Sequence, residues 1–359
     1  MARWRRLTST AGLAAGVAAA GIGAVIAIEK VAVGRLRMQP DAAAAEPFGQ
    51  LRGRPVTVIA DDGVALHAEI SGLEDAPLTL VFCHGYCLSQ DVWHYQRQDF
   101  AQEARLVFWD QRSHGRSGRS SPGHITVDQL GADLAAVLAA TVPPESTVVL
   151  IGHSMGGMTI MALADQQPDL FGTTVAGVVL ISTAAGRVDP VSRLPPPLRP
   201  AARLAAPSLL RGSSRGRRAE LVERFRASAG DLAFLSTRLI AFGDPDISPA
   251  AVDFLERIIR ATPIDVIADF FLALRDHDKR SALPVLGRIP VAILVGAEDR
   301  LIPPRRTEEL AAEVPRARVV VVPGAGHAII LERPDIVTEE ISDLTAIAVD
   351  AARSRAPRQ

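Results

Sequence analysis

Residues 148–164 read VVLIGHSMGGMTIMALA. Four apolar residues run straight into Gly152-His153-Ser154-Met155-Gly156-Gly157, and a small-residue helical pattern follows from Met158 to Ala164. A strand that passes through a glycine-flanked serine into a helix is the setting of a nucleophile held on a sharp turn. Side chains two positions before and two after the turning residue collide, which accounts for Gly152 and Gly156, while Gly157 permits close helix packing. The turn aims the Ser154 hydroxyl at a helix N-terminus, where amides and the dipole favour developing negative charge. The plainer alternative is a tight connection that happens to contain a serine, and the other loops decide between the two.

Working outward, short apolar runs lie at 78–82, 106–109, 147–151, 175–181, 291–295 and 319–322. They are too short for helices and lack the alternation of half-wet strands, so buried parallel strands are expected. Residues 56–59 and 64–70 flank Asp61-Asp62-Gly63, a hairpin signal. Helical patterns lie between the runs, as at 127–140, where Leu130, Leu134, Val137 and Leu138 recur after Thr126, a candidate N-cap. The fold class is therefore α/β: a mostly parallel central sheet with helices on both faces. From 183 to 283 no strand run occurs, and helical patterns at 221–225, 232–242, 252–259 and 266–274 predict an inserted helical segment. Ligands of such sheets bind beyond the carboxyl ends of the strands.

The loops after the strands carry the chemistry. Gly296-Ala297-Glu298-Asp299-Arg300 follows the run at 291–295, and Gly324-Ala325-Gly326-His327 follows the run at 319–322, on the same sheet edge as Ser154. A serine hydroxyl needs a base, and the base needs an orienting acid. The order Ser, Asp, His along the chain is the one associated with this turn. Ser154, Asp299 and His327 are the candidate triad, with Glu298 as a rival acid. His84-Gly85-Tyr86 follows 78–82, and the amides of Tyr86 and Met155 are the candidate oxyanion hole. His84 is expected to brace its loop, His153 to point away from the turn, and residues 110–117 to form a hydrogen-bonded support. His67, His94, His124 and His277 show no metal-ligand spacing, so neither metal nor cofactor is expected.

From about Arg54 to Ile347 the chain resembles the α/β-hydrolase fold superfamily, of the kind with a helical cap. The stretches that carry the resemblance are FCHGY, FWDQRSHGRS, LIGHSMGGM, LVGAEDRLIP and VVPGAGHAIILERPD, in the family's order. It implies Ser154 as nucleophile, Asp299 as acid, His327 as base and the cap as a lid over an acyl pocket. The expected reaction is hydrolysis of a carboxylic ester or related acyl compound, a small hydrophobic molecule, through an acyl-enzyme. Alternatives on the same triad are cofactor-free perhydrolase or haloperoxidase chemistry and carbon–carbon or thioester hydrolysis; a non-catalytic ligand receptor is the alternative outside enzymes. Epoxide hydrolases and haloalkane dehalogenases carry an Asp where this chain has Ser154, a departure that argues against both reactions.

The 359 residues are 48% hydrophobic and 22% charged, enough for a large core, and a formal net charge of −1 provides no basic field for nucleic acid. Cys83 and Cys87 are the two cysteines and predict no disulfide framework. Arg3, Arg5 and Arg6 precede an uncharged run at 7–28 that is long enough for a bilayer, which takes ~20 residues. Residues 1–30 are accordingly expected to be a membrane anchor, or else a cleaved signal segment, giving a membrane-associated or exported protein. Residues 31–53 read as a linker, 54–182 and 284–347 as the core, 183–283 as the cap and 348–359 as a flexible tail.

Overall fold

A computed structural model describes residues 33–38, 41–188 and 230–355. β1 (Arg54–Ile59) and β2 (Ala65–Gly72) form the expected antiparallel hairpin, turning at Gly63 with φ +84°. β3 (Leu78–Cys83), β4 (Arg105–Trp109), β5 (Thr147–His153), β6 (Val175–Ile181), β7 (Val291–Gly296) and β8 (Arg318–Val322) contain the six apolar runs. All join one sheet in the order β1-β2-β4-β3-β5-β6-β7-β8. The β1–β2 and β2–β4 pairs are antiparallel and the rest parallel.

Alternate residues along the central strands supply two separate cores. Phe82, Phe108, Ile151 and Ile181 enter one, while Val81, Val107, Leu150 and Leu180 enter the other, because successive strand side chains point to opposite faces. Burial on both faces is why these strands read as continuous apolar runs. β8 departs from that expectation: it is parallel, but Val319 is 42% and Val321 47% exposed. It is an edge strand, and a run of valines does not reveal whether both faces are covered.

The helices among the described residues from β1 onward are α1 (His94–Asp99), α2 (Val127–Thr141), α3 (Met155–Gln166), α4 (Gly230–Ala241), α5 (Pro249–Ala261), α6 (Ile264–Asp276), α7 (Leu283–Leu286), α8 (Pro304–Glu313), α9 (Ile329–Glu332) and α10 (Pro334–Arg355). Thr126 caps α2, its hydroxyl accepting from the Gln129 amide at 3.0 Å. α4, α5 and α6 lie between β6 and β7, where the helical patterns at 232–242, 252–259 and 266–274 were expected to lead. The pattern at 221–225 falls outside the described residues.

Two boundaries differ from the sequence reading. The stretch read as a linker is packed: Phe48 stacks on Phe254 of α5 with ring centroids 4.7 Å apart, and the Asp41 carboxylate accepts from the Ser248 hydroxyl and from the Ala250 amide at 2.9 Å. Arg37 reaches Asp253 at 3.0 Å. An Ala/Gly/Pro-rich composition concealed one aromatic and one carboxylate that meet the start and the flank of α5. At the other end α10 runs on to Arg355 instead of fraying after 347, with Ala348 fully buried where a side chain on Gly177 of β6 would stand 2.8 Å away. Among the described residues no helix is long and apolar enough to cross a membrane, and the run at 7–28 lies outside them.

Candidate active site

Ser154 sits between the last residue of β5 and the first of α3 with φ +54° and ψ −115°, a conformation costly for a residue with a side chain. The neighbouring glycines follow from sterics. A Cβ on Gly156 would stand 2.0 Å from the Cys83 carbonyl oxygen, and one on Gly152 would stand 2.6 Å from the Gly157 nitrogen. The turn is tied at both ends: the Ser154 amide donates to the Ile181 carbonyl at 2.8 Å, and the Thr183 hydroxyl donates to the Ser154 carbonyl at 2.7 Å.

His327, in the loop after β8, donates from Nδ1 to Asp299 Oδ2 at 2.8 Å. Asp299 Oδ1 accepts the amides of Leu301 and Ile302, each at 2.8 Å. Burial pushes the Asp299 carboxyl up, but the imidazole and these two amides outweigh it and hold the group below the ordinary carboxylate range. With Nδ1 facing Asp299, Nε2 is the ring nitrogen left to face the cavity that Ser154 and His327 share. Glu298, the rival acid, donates its backbone amide to Ala325 at 2.9 Å, while the acid in contact with His327 is Asp299.

Ser154 and His327 line one cavity of about 300 Å³ together with Gly85 and Tyr86. The rest of its wall is largely apolar, with Leu88 and Met158 from the core and Leu255, Ile259 and Phe271 from α5 and α6. Gly85 brings its loop against the elbow: a Cβ there would stand 3.2 Å from Ser154 Cβ and 2.9 Å from His153 Nδ1. Met155 opens α3, so its amide is among the first amides of that helix, which have no partner within it. The Tyr86 hydroxyl donates to the Ile267 carbonyl, which pins this loop to α6.

The supporting residues are intelligible in the same terms. His84 donates from Nδ1 to the Gly85 carbonyl at 2.7 Å and accepts the Gln111 amide on Nε2 at 2.9 Å, and burial lowers its pKa to about 4. It braces its loop, as expected. His153 differs from expectation: it lines the same cavity, and its Nε2 donates to the His327 carbonyl at 2.9 Å. The elbow turns the residue before the serine toward the loop after β8, whose carbonyl needs a donor; burial lowers the His153 pKa to about 3. In the 110–117 loop Asp110 accepts the Gln90 and Arg116 amides at 2.7 and 2.9 Å. The fully buried Arg112 reaches both Asp133 oxygens at 2.6 Å and Asp62 at 2.7 Å. Cys83 and Cys87 are both buried and form no disulfide. Sequence reasoning gave no role to Glu332, a buried carboxylate that accepts three amides around the His327 loop. The available signal was one acid following the apolar residues 328–331.

Residues 79–334 match the family model described as the alpha/beta hydrolase fold. The chain is 25% identical over 280 residues to the dihydrolipoyllysine-residue acetyltransferase component of the acetoin cleaving system of Pseudomonas putida, covering 76% of this chain and 64% of that protein. It is 36% identical over 126 residues to a bifunctional esterase/perhydrolase of Acinetobacter calcoaceticus, covering 35% and 43% of the two chains. The chain thus spans less than two thirds of either relative. Among solved structures, a thermophilic esterase from Thermogutta terrifontis superposes with a TM-score of 0.64 at 26% identity, covering 82% of this chain and 98% of that one.

Proposed function

The chain belongs to the α/β-hydrolase fold family, and from that premise we propose that it is a serine hydrolase acting on a carboxylic ester with an apolar acyl group. Relatives in the family support hydrolase activity in general. The observation that carries the finer reading is a strained serine and an Asp-oriented imidazole opening on one apolar cavity. In this reading His327 Nε2 takes the Ser154 proton as the oxygen attacks the acyl carbon, and the amides of Tyr86 and Met155 hold the oxyanion. The imidazolium, stabilised by Asp299, returns the proton to the departing alkoxide. His327 then activates water, which cleaves the acyl-enzyme and releases the acid. α4, α5 and α6, which contribute Ala241, Leu255 and Phe271 to the cavity wall, act as its cap. Residues 7–28 anchor the chain to a membrane, so full-length protein should sediment with the membrane fraction.

A series of nitrophenyl esters of graded acyl length tests the reaction class. Turnover should be measurable, and Asp299→Asn should lower kcat by roughly 10³- to 10⁴-fold while Glu298→Gln stays near wild type. Absence of hydrolysis at every chain length, or a larger loss in Glu298→Gln, contradicts the reading. A second reading, peracid formation from a carboxylic acid and hydrogen peroxide, is favoured by the stretch shared with the esterase/perhydrolase. Peracid production faster than ester hydrolysis would select it.

A further inference from the structure

We propose that Glu332 is a positioning residue that locks the His327 loop to the end of α4, so that the base and the wall of the acyl cavity are set by one carboxylate. The inference rests on the triad reading above. Glu332 is 6% exposed, and its two oxygens face two different segments. Oε1 accepts the amides of Gly243 and Asp244, just past the end of α4, at 2.8 and 2.5 Å. Oε2 accepts the amide of Gly326, the residue before His327, at 2.6 Å.

The two segments touch so closely that neither tolerates a side chain. A Cβ on Gly326 would stand 2.6 Å from the Gly243 nitrogen, and a Cβ on Gly243 would stand 2.7 Å from the Ala325 carbonyl carbon. One backbone bond completes the seam, from the Ala328 amide to the Ala241 carbonyl at 2.8 Å. Ala241 and Ala328 both line the cavity. Arg333 adds a tie, bonding Asp244 Oδ2 at 2.9 Å. Without the carboxylate, three amides in a water-poor seam lose their acceptor, and the cheapest relief is for the segments to part and hydrate. Parting moves the backbone on both sides of His327, and misplacement of a catalytic group by ~1 Å can cost ~10²-fold in rate.

Glu332→Gln tests this. The amide keeps one acceptor oxygen but aims an NH2 group at one of the two sets of backbone donors. Ester turnover is measured per active site, the sites being counted by titration with a fluorophosphonate. A residue that only supports folding lowers the number of titratable sites and leaves kcat per site unchanged. We expect kcat per site to fall between about 10- and 100-fold, with KM for an acetyl ester within about two-fold. Glu340→Gln, which weakens the half-exposed ion pair between Glu340 of α10 and Arg318 of β8, should leave kcat per site unaltered. If Glu332→Gln does not fold, Glu332→Asp, one methylene too short to bridge the seam, carries the same comparison. Wild-type kcat per site in the folded variant overturns the inference. If Ser154→Ala still labels, the hydrolase reading itself fails; if Ser154→Ala is silent and Glu332→Gln turns over normally, only the seam is wrong.

Discussion

Phe48→Ala probes the strap of chain ahead of β1, which composition presented as a linker. Phe48 is 8% exposed, stacked on Phe254 at 4.7 Å and set edge-on to Tyr95 at 5.8 Å. Burying a Phe side chain stabilises by about 1.5–3 kcal/mol, and an aromatic pair adds about 0.5–1.5 kcal/mol. Truncating a core Phe to Ala costs about 3–5 kcal/mol. The lower end applies here, because Phe48 and Phe254 border a cavity of about 500 Å³ whose wall also carries Asp91, Asp110, Arg116 and Arg257, so water can fill the gap. We therefore expect a loss of about 3 kcal/mol, read as a urea midpoint lowered by ~1 M for a slope of ~3 kcal/mol/M. Met38→Ala is the control: at 87% exposure it should shift nothing. A Phe48→Ala midpoint within ~0.2 M of wild type would refute the strap. Deleting everything before Arg54 should cost more, since Asp41 and Arg37 leave α5 as well.

Two further outcomes are expected. Asp133→Ala strips the fully buried Arg112 of two hydrogen bonds and should cost about 3–5 kcal/mol in urea unfolding; a cost under about 1 kcal/mol would contradict the role of this pair. Stability should fall on acidification, because His84 and His277 have pKa values lowered to about 4, and His114 and His153 to about 3, with burial the leading cause. The unfolded chain protonates these imidazoles near pH ~6.5 while the folded chain does not, so the unfolded state binds more protons below that pH. Each imidazole then contributes up to ~1.4 kcal/mol of lost stability per pH unit down to its folded value, and no slope above pH ~6.5. Urea midpoints that stay constant from pH 7 to 5 would contradict this.

The sheet was legible because β4, β6 and β7 are buried along their whole length, so their apolar runs carry no competing pattern. The elbow was legible because sterics leave glycine as the residue that fits opposite the Cys83 carbonyl and the Gly157 amide. Asp299 could be chosen over Glu298 by motif, but the reason is geometric: its second oxygen takes the amides of Leu301 and Ile302 and fixes the carboxylate toward His327. What the sequence concealed depends on partners distant along the chain. Phe48 meets Phe254, His153 meets the His327 carbonyl, and Glu332 meets amides about 90 residues upstream at Gly243 and Asp244. No local periodicity encodes such pairings.

The central claim is that Ser154 is the nucleophile, and covalent labelling by a fluorophosphonate tests it most directly. Ser154 is 9% exposed at the cavity wall, and removing its hydroxyl leaves the bonds of its own amide and carbonyl in place, so Ser154→Ala should remain folded. Intact-mass analysis of the wild type should show one adduct, mapped to the peptide containing Ser154, together with loss of ester turnover. Ser154→Ala, folded and treated alike, should gain no mass and hydrolyse no ester above background. A Ser154→Ala protein that still takes up the probe and turns over ester at the wild-type rate would contradict the account.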